Sequence, residues 1–197
     1  MRLHMKALFV GLAAVLLTAS ATFAQVAWPL QLAPTRPNDV ADSHRYLVDQ
    51  NNQPFLMIGD TVWPLLWNIS PYGSNNLDLY LNNREAKKFT MIGSNFLPWG
   101  TSEENWDGER PFNNGDITQP NANYWNEMDV SLSKIKAKQM VAVVFFAWSN
   151  NWASWIQGQG TSRCYQYGQF LGNRYKASAG FGNVIYSVGG DDYTSGA

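Results

Sequence analysis

Four apolar runs recur along the chain, and the segments between them carry helical spacing. Residues 45–48 alternate between polar and apolar, 49–53 are turn-forming, and 54–58 are apolar throughout. That pattern predicts a hairpin leading into a buried strand, ended by Gly59-Asp60-Thr61. Residues 74–88 place Leu77, Tyr80, Leu81, the Arg84 stem and Ala86 near a helical period, and 89–97 read as a second strand. The clearest helix is 121–139, where Tyr124, Met128, Leu132 and Ile135 share one face and Lys134, Lys136 and Lys138 suit the negative end of the helix dipole. The run 140–146 is apolar on both faces, as a covered parallel strand requires. A third helix is expected over 164–175, with Tyr167, Phe170, Leu171 and Arg174 spaced by three and four. A fourth strand is expected over 183–188, closed by Gly189-Gly190-Asp191-Asp192. Two segments lack such periodicity. Residues 99–119 form a long loop rich in Gly, Asn and acidic residues, of a length that is usually functional or mobile. Residues 148–160 read as a polar-aromatic loop.

Strands alternating with helices make βα units and a parallel sheet. The fold class is therefore α/β, of the (β/α)8 TIM-barrel type. A full barrel takes about 250 residues, so the expectation is a half-barrel truncated after the fourth strand. Neither a Gly-x-Gly-x-x-Gly nor a P-loop follows any strand, which argues against nucleotide binding. Polar, aromatic and acidic residues gather just past the strand ends: Asp60, Trp63, Trp99, Trp148, Asp191 and Asp192. In parallel α/β folds the site lies at the carboxyl ends of the strands.

The first residues stand outside this pattern. Arg2 and Lys6 precede an apolar run over 7–17, followed by small residues up to Ala24. This is the form of a secretory signal peptide cleaved after Ala24, too short for a comfortable membrane span. Residues 1–24 are accordingly assigned to the leader, 25–44 to an extended arm with Pro29, Pro34 and Pro37, and 45–197 to the half-barrel. The expected location is secreted or periplasmic, with no membrane association after cleavage. Loss of Arg2 and Lys6 takes the net charge from -1 to -3, and His44 becomes the sole histidine of the mature chain.

Composition then narrows the chemistry. Only 15% of residues are charged, which leaves no basic face for nucleic acid. One cysteine excludes an internal disulfide framework, and Cys164 reads as a small core residue. No metal site and no cofactor are implied; Glu103, Glu104, Asp107 and Asp116 read as solvated loop charges without calcium-ligand spacing. The chain carries nine Trp, nine Tyr and ten Phe. Aromatic rings pack on the C–H faces of sugars while carboxylates and amides bind the hydroxyls, so a carbohydrate partner is expected. About half of the tryptophans belong to the core. Trp63, Trp99 and Trp148 are the expected exceptions, since each lies just beyond an apolar strand.

A glycosidase needs one carboxyl to protonate the leaving oxygen and a second as nucleophile or base. Asp191 follows two glycines, which let the backbone turn sharply into a crowded pocket. Asp192 beside it is counted with Asp60 and the three tryptophans as substrate-binding, and could supply like-charge repulsion that raises a proton donor's pKa, although adjacent residues of an extended strand point to opposite faces. A solvated Gly-Gly-Asp-Asp turn is the plain alternative. Asp60 is expected to bind substrate hydroxyls or to orient a neighbouring group, with a helix or turn cap as the alternative.

The pieces Arg45-Tyr46-Leu47-Val48-Asp49, Ile58-Gly59-Asp60-Thr61-Val62-Trp63, Tyr80-Leu81-Asn82-Asn83-Arg84, Tyr124-Trp125-Asn126-Glu127-Met128-Asp129, Phe170-Leu171-Gly172-Asn173-Arg174-Tyr175-Lys176 and Asn183 to Asp191 follow one another in order. As a set they resemble the apiosidase-like catalytic domain, the glycoside hydrolase family 140 enzymes and their relatives. The resemblance implies a retaining glycosidase on a (β/α)8 barrel, with Asp191 of Gly-Gly-Asp as acid/base. It implies a glutamate nucleophile near a seventh strand, which has no counterpart here. One departure is Lys88 before Phe89, where relatives usually carry Gly. The leading expectation is a secreted glycoside hydrolase acting on plant-type polysaccharide or a side-chain sugar. On that reading residues 1–197 alone are inactive and poorly soluble. The alternatives are a non-catalytic carbohydrate-binding or degenerate domain, and a half-barrel that pairs with itself; the oligomeric state is left open.

Overall fold

The computed structural model describes residues 25–34, 44–73, 76–187 and 189. The leader over 1–24, most of the second half of the arm, and both Asp191 and Asp192 lie outside the described residues. Two sheets are present. The smaller is an antiparallel meander of β1 (Gln31–Leu32), β2 (Leu47–Val48) and β3 (Pro54–Phe55). The arm thus donates a strand, and the expected hairpin forms with Leu47 opposite Phe55. Its turn is organised by Asp49, which accepts the backbone N–H groups of Asn51 and Gln53 and that of Ala27 from the arm. These N–H groups, that of Gln53 above all, hold the Asp49 carboxyl below the usual carboxylate range.

The larger sheet holds β4 (Gly59–Thr61), β5 (Met91–Asn95), β6 (Val141–Phe145) and β7 (Val184–Ser187), all parallel and ordered as in the chain. Helices α1 (Leu65–Asn68), α2 (Leu77–Ala86), α3 (Ala122–Ala137), α4 (Ser149–Gln159) and α5 (Thr161–Arg174) connect the strands. Among the described residues the sheet is open, as expected of part of a barrel. The α3 face anticipated from spacing is fully buried: Tyr124, Met128, Leu132 and Ile135 are at most 1% exposed. Asn121 caps the helix by accepting the N–H of Asn123.

Helices α2 and α3 end alike. Lys88 and Gln139 take left-handed φ values of 65° and 58°. In each case the next residue reaches back across the last turn, Phe89 N–H to the Arg84 carbonyl and Met140 N–H to the Ile135 carbonyl. Both are Schellman ends, the geometry that favours glycine. Lys88 therefore carries a side chain in a conformation that disfavours one.

Two expectations are corrected. Residues 54–58 are not a buried strand: pairing stops at Phe55 and resumes at Gly59, and Leu56 and Ile58 are 72% and 45% exposed. The segment is the crossover from the small sheet to the edge of the large one, so it is covered on one side only. Residues 148–160 are not a loop, because α4 occupies them. Trp152, Trp155 and Ile156, spaced by three and one, turn one side toward the core. The Trp152 indole donates to the Pro98 carbonyl at 2.7 Å.

Candidate active site

Alternation along the strands decides what each face carries. Asp60, Ile92, Ala142 and Val144 share the helix-covered face. Thr61, Gly93, Val143 and Ile185 share the other, as do Asn95, Phe145 and Ser187. That second face leads up to the carboxyl ends of the strands. There Trp63, Trp99 and Trp148 meet, each on the connection after a different strand. The rings of Trp63 and Trp148 are 4.6 Å apart and those of Trp99 and Trp148 are 6.2 Å apart. Phe145 supports them from the sheet, 5.2 Å from Trp63 and 5.4 Å from Trp148. Trp148 sits in the middle and is 9% exposed, while Trp63 and Trp99 are partly exposed on either side.

Backbone contacts fix these positions. The Trp63 carbonyl accepts the Asn95 N–H at 3.0 Å and the Ser94 hydroxyl at 3.0 Å. Ser94 in turn accepts the Leu66 N–H, which locks the turn from β4 into α1. The Trp99 N–H donates to the Glu103 carboxylate at 3.1 Å, so one acid of the long loop closes that loop's own first turn.

Asp60 does not join the tryptophans. On the helix-covered face its carboxylate accepts the Tyr80 hydroxyl at 2.9 Å and pairs with Arg84 at 3.0 Å. Burial and the Asp60 carboxylate both push the Tyr80 phenol far above its ordinary value, so it stays a donor. Asp60 thereby ties β4 to α2.

Asn95 is a residue that sequence reasoning missed. It closes β5 in register with Phe145, is fully buried, and neither its amide nitrogen nor its amide oxygen has a protein partner. A buried amide without a protein partner is costly to keep. The available signal was a lone amide ending an apolar run.

The other missed group is Glu127, 6% exposed on α3 beneath the long loop. It accepts the Asn105 amide at 2.6 Å, and Asn105 accepts the N–H groups of Asp107 and Glu109. Burial, then the nearby Asp107, push the Glu127 carboxyl above its ordinary value, against the Trp106 indole and the Asn105 amide. Between the ordinary and the raised value, the folded protein therefore binds a proton there more tightly than the unfolded chain does. Stability is unaffected below the ordinary carboxylate pKa and falls as pH rises from there through the raised value. Comparing unfolding free energies of the natural protein and Glu127→Gln across that range is expected to show this downward slope only with glutamate. Parallel slopes would remove Glu127 from the account.

Among the described residues no three His, Cys, Asp or Glu side chains converge on a metal-sized site. Cys164 is a free, partly buried thiol that donates to the Ile156 carbonyl. At the fourth strand end, Gly189 adopts a left-handed φ of 94°, two residues before Asp191.

The apiosidase-like catalytic domain matches residues 41–196. The chain belongs to that family. No curated protein matches it significantly. Among solved structures, a glycoside hydrolase family 5 protein from Bacteroides vulgatus ATCC 8482 is 25% identical with a TM-score of 0.60, covering 75% of this chain and 31% of that one. A second glycoside hydrolase is also 25% identical, TM-score 0.59, over 75% and 32%. An endo-1,4-beta-mannanase from Rhizomucor miehei shares the fold at 9% identity, TM-score 0.53, over 75% and 46%. The chain thus spans about a third of the length of the first structures it matches. Membership carries the parallel sheet, the aromatic cluster at its carboxyl edge and the Gly-Gly-Asp strand end into one frame.

Proposed function

We propose that this apiosidase-like chain supplies the sugar-binding and acid/base side of a secreted, retaining glycoside hydrolase acting on plant-type polysaccharide or a side-chain sugar. The observation that carries the reading is the convergence of Trp63, Trp99 and Trp148 at the carboxyl edge of the sheet. The partly exposed Trp63 and Trp99 offer the C–H face of a sugar a stacking surface, with the buried Trp148 ring holding them in place.

In this reaction Asp191 protonates the glycosidic oxygen as the bond to the anomeric carbon breaks. A second carboxylate takes that carbon as a covalent ester. Asp191, now ionised, then removes a proton from the water that releases the sugar. Asp192 joins the sugar-binding residues. Asp60 acts as a positioning group, through β4 and α2, for the turn that bears Trp63. The second carboxylate is expected from a later strand, so residues 1–197 by themselves should bind sugar without turning it over.

The test is to recover the protein from outside the cytoplasm, read its first residue, and follow plant-wall polysaccharide hydrolysis by proton NMR. The expected results are Gln25 as the first residue and a first-formed product with the anomeric configuration of the substrate. An inverted product would overturn the retaining mechanism. Measurable turnover by residues 1–197 alone would overturn the division of the carboxyl pair.

A further inference from the structure

A second aromatic feature lies apart from Trp63, Trp99 and Trp148. Where α1 ends and the chain turns toward α2, a cavity of about 560 Å³ opens, lined by Asn68, Ile69, Ser70, Asn76 and Trp106. None of these side chains carries a charge. Tyr72 stands beside it, 49% exposed, its ring 6.0 Å from that of Trp106 at an interplanar angle of 67°. The two rings make a corner.

The corner is rigid. Ser70 accepts the Tyr72 N–H at 3.1 Å, and the Asn76 amide donates to the Tyr72 carbonyl at 2.9 Å. The Trp106 N–H donates to the Trp67 carbonyl at 2.9 Å, and the Trp106 indole lies against the buried Glu127 carboxyl. The corner is tied to the first site through the backbone: the Trp106 N–H is held by the Trp67 carbonyl, and the buried Trp67 ring is 6.4 Å from that of Trp99.

We infer that Tyr72 and Trp106, with the Asn68 amide, form a distal subsite for an uncharged sugar unit of an extended glycan. The substrate on this view is a chain several units long, engaged at this corner and at the tryptophan cluster. An uncharged, hydroxyl-rich ligand fits a cavity walled by the Asn68 and Asn76 amides, the Ser70 hydroxyl and the Trp106 ring, with Tyr72 beside it, where an anionic one would find no countercharge. The inference rests on the glycosidase reading above.

The probes are the β-1,4-linked gluco-, manno- and xylo-oligosaccharides, each at two and at six units, titrated calorimetrically into the full chain. The expected result is that at least one series binds more tightly as six units than as two, and that Tyr72→Ala removes that advantage by about tenfold. Tyr72→Phe, which keeps the ring, should retain it. Trp63→Ala should instead weaken both lengths. Two-unit binding that depends on Trp63 but shows no length dependence, or a length advantage that survives Tyr72→Ala, would overturn the distal subsite and leave the glycosidase reading standing. Failure of every series to bind would overturn both.

Discussion

Replacing Asp191 by asparagine is expected to lower turnover of an unactivated glycoside by about 10³-fold and to leave sugar binding nearly unchanged. An amide has the shape of the carboxyl but no proton to give the departing oxygen. The deficit should shrink for aryl glycosides whose leaving groups need no protonation, and the alkaline limb of the pH–rate profile should flatten. Those two readouts separate a proton donor from a residue that merely shapes the pocket, since a shape defect would slow both substrates alike. The measurement belongs in a polypeptide that also carries the second carboxyl. Undiminished turnover of the unactivated substrate would remove Asp191 from the mechanism.

The largest stability effect is expected at Trp125. Its ring is fully buried, with the rings of Phe170, Tyr124 and Phe96 at 5.1, 5.5 and 5.6 Å. Its indole donates to the Pro111 carbonyl at 2.8 Å. Trp125→Ala removes the ring contacts, opens a cavity among side chains that cannot all move in, and leaves that carbonyl with the Asn121 N–H as its remaining donor. The expected cost is about 3–5 kcal/mol, read from the shift in denaturant midpoint. Because Pro111 belongs to the long loop, Trp125→Phe should recover much of the packing but not the loop anchor. A loss under about 1 kcal/mol would mean that the aromatic core is not closed around this residue.

Much of this architecture is legible in the sequence, for identifiable reasons. The face of α3 is readable because four large apolar residues repeat at the helical period and nothing polar competes. The parallel sheet is readable from apolar runs alternating with such faces. The α4 segment is not, since Ser149, Asn150, Asn151, Gln157 and Gln159 outnumber its apolar residues and resemble a loop; three large side chains suffice to hold the helix through tertiary packing. The exposure of Leu56 and Ile58 depends on where pairing stops, which no local pattern encodes.

The site divides in the same way. Position after a strand end places Trp63, Trp99 and Trp148 together, but Trp148, expected outside the core, is buried in it because the other two rings and Phe145 cover it. Position is not enough for Asp60, where a single step of strand alternation sends a carboxylate to the helices instead of the cluster. Asn95 and Glu127 escape because their significance is burial, a property of the folded molecule. Lys88 is the reverse case. Its departure from the family's glycine is visible in the sequence, and the left-handed backbone is what gives that departure its meaning.

The order of strands in the large sheet has a consequence for how the protein comes into being. Since β4, β5, β6 and β7 lie side by side in the order in which they are synthesised, each new strand needs only its predecessor as a template. No strand must wait for a distant partner, so loop-closure distances stay short at every step. A polypeptide emerging amino end first, from a ribosome or through a translocation pore, can add one βα unit at a time to a growing edge.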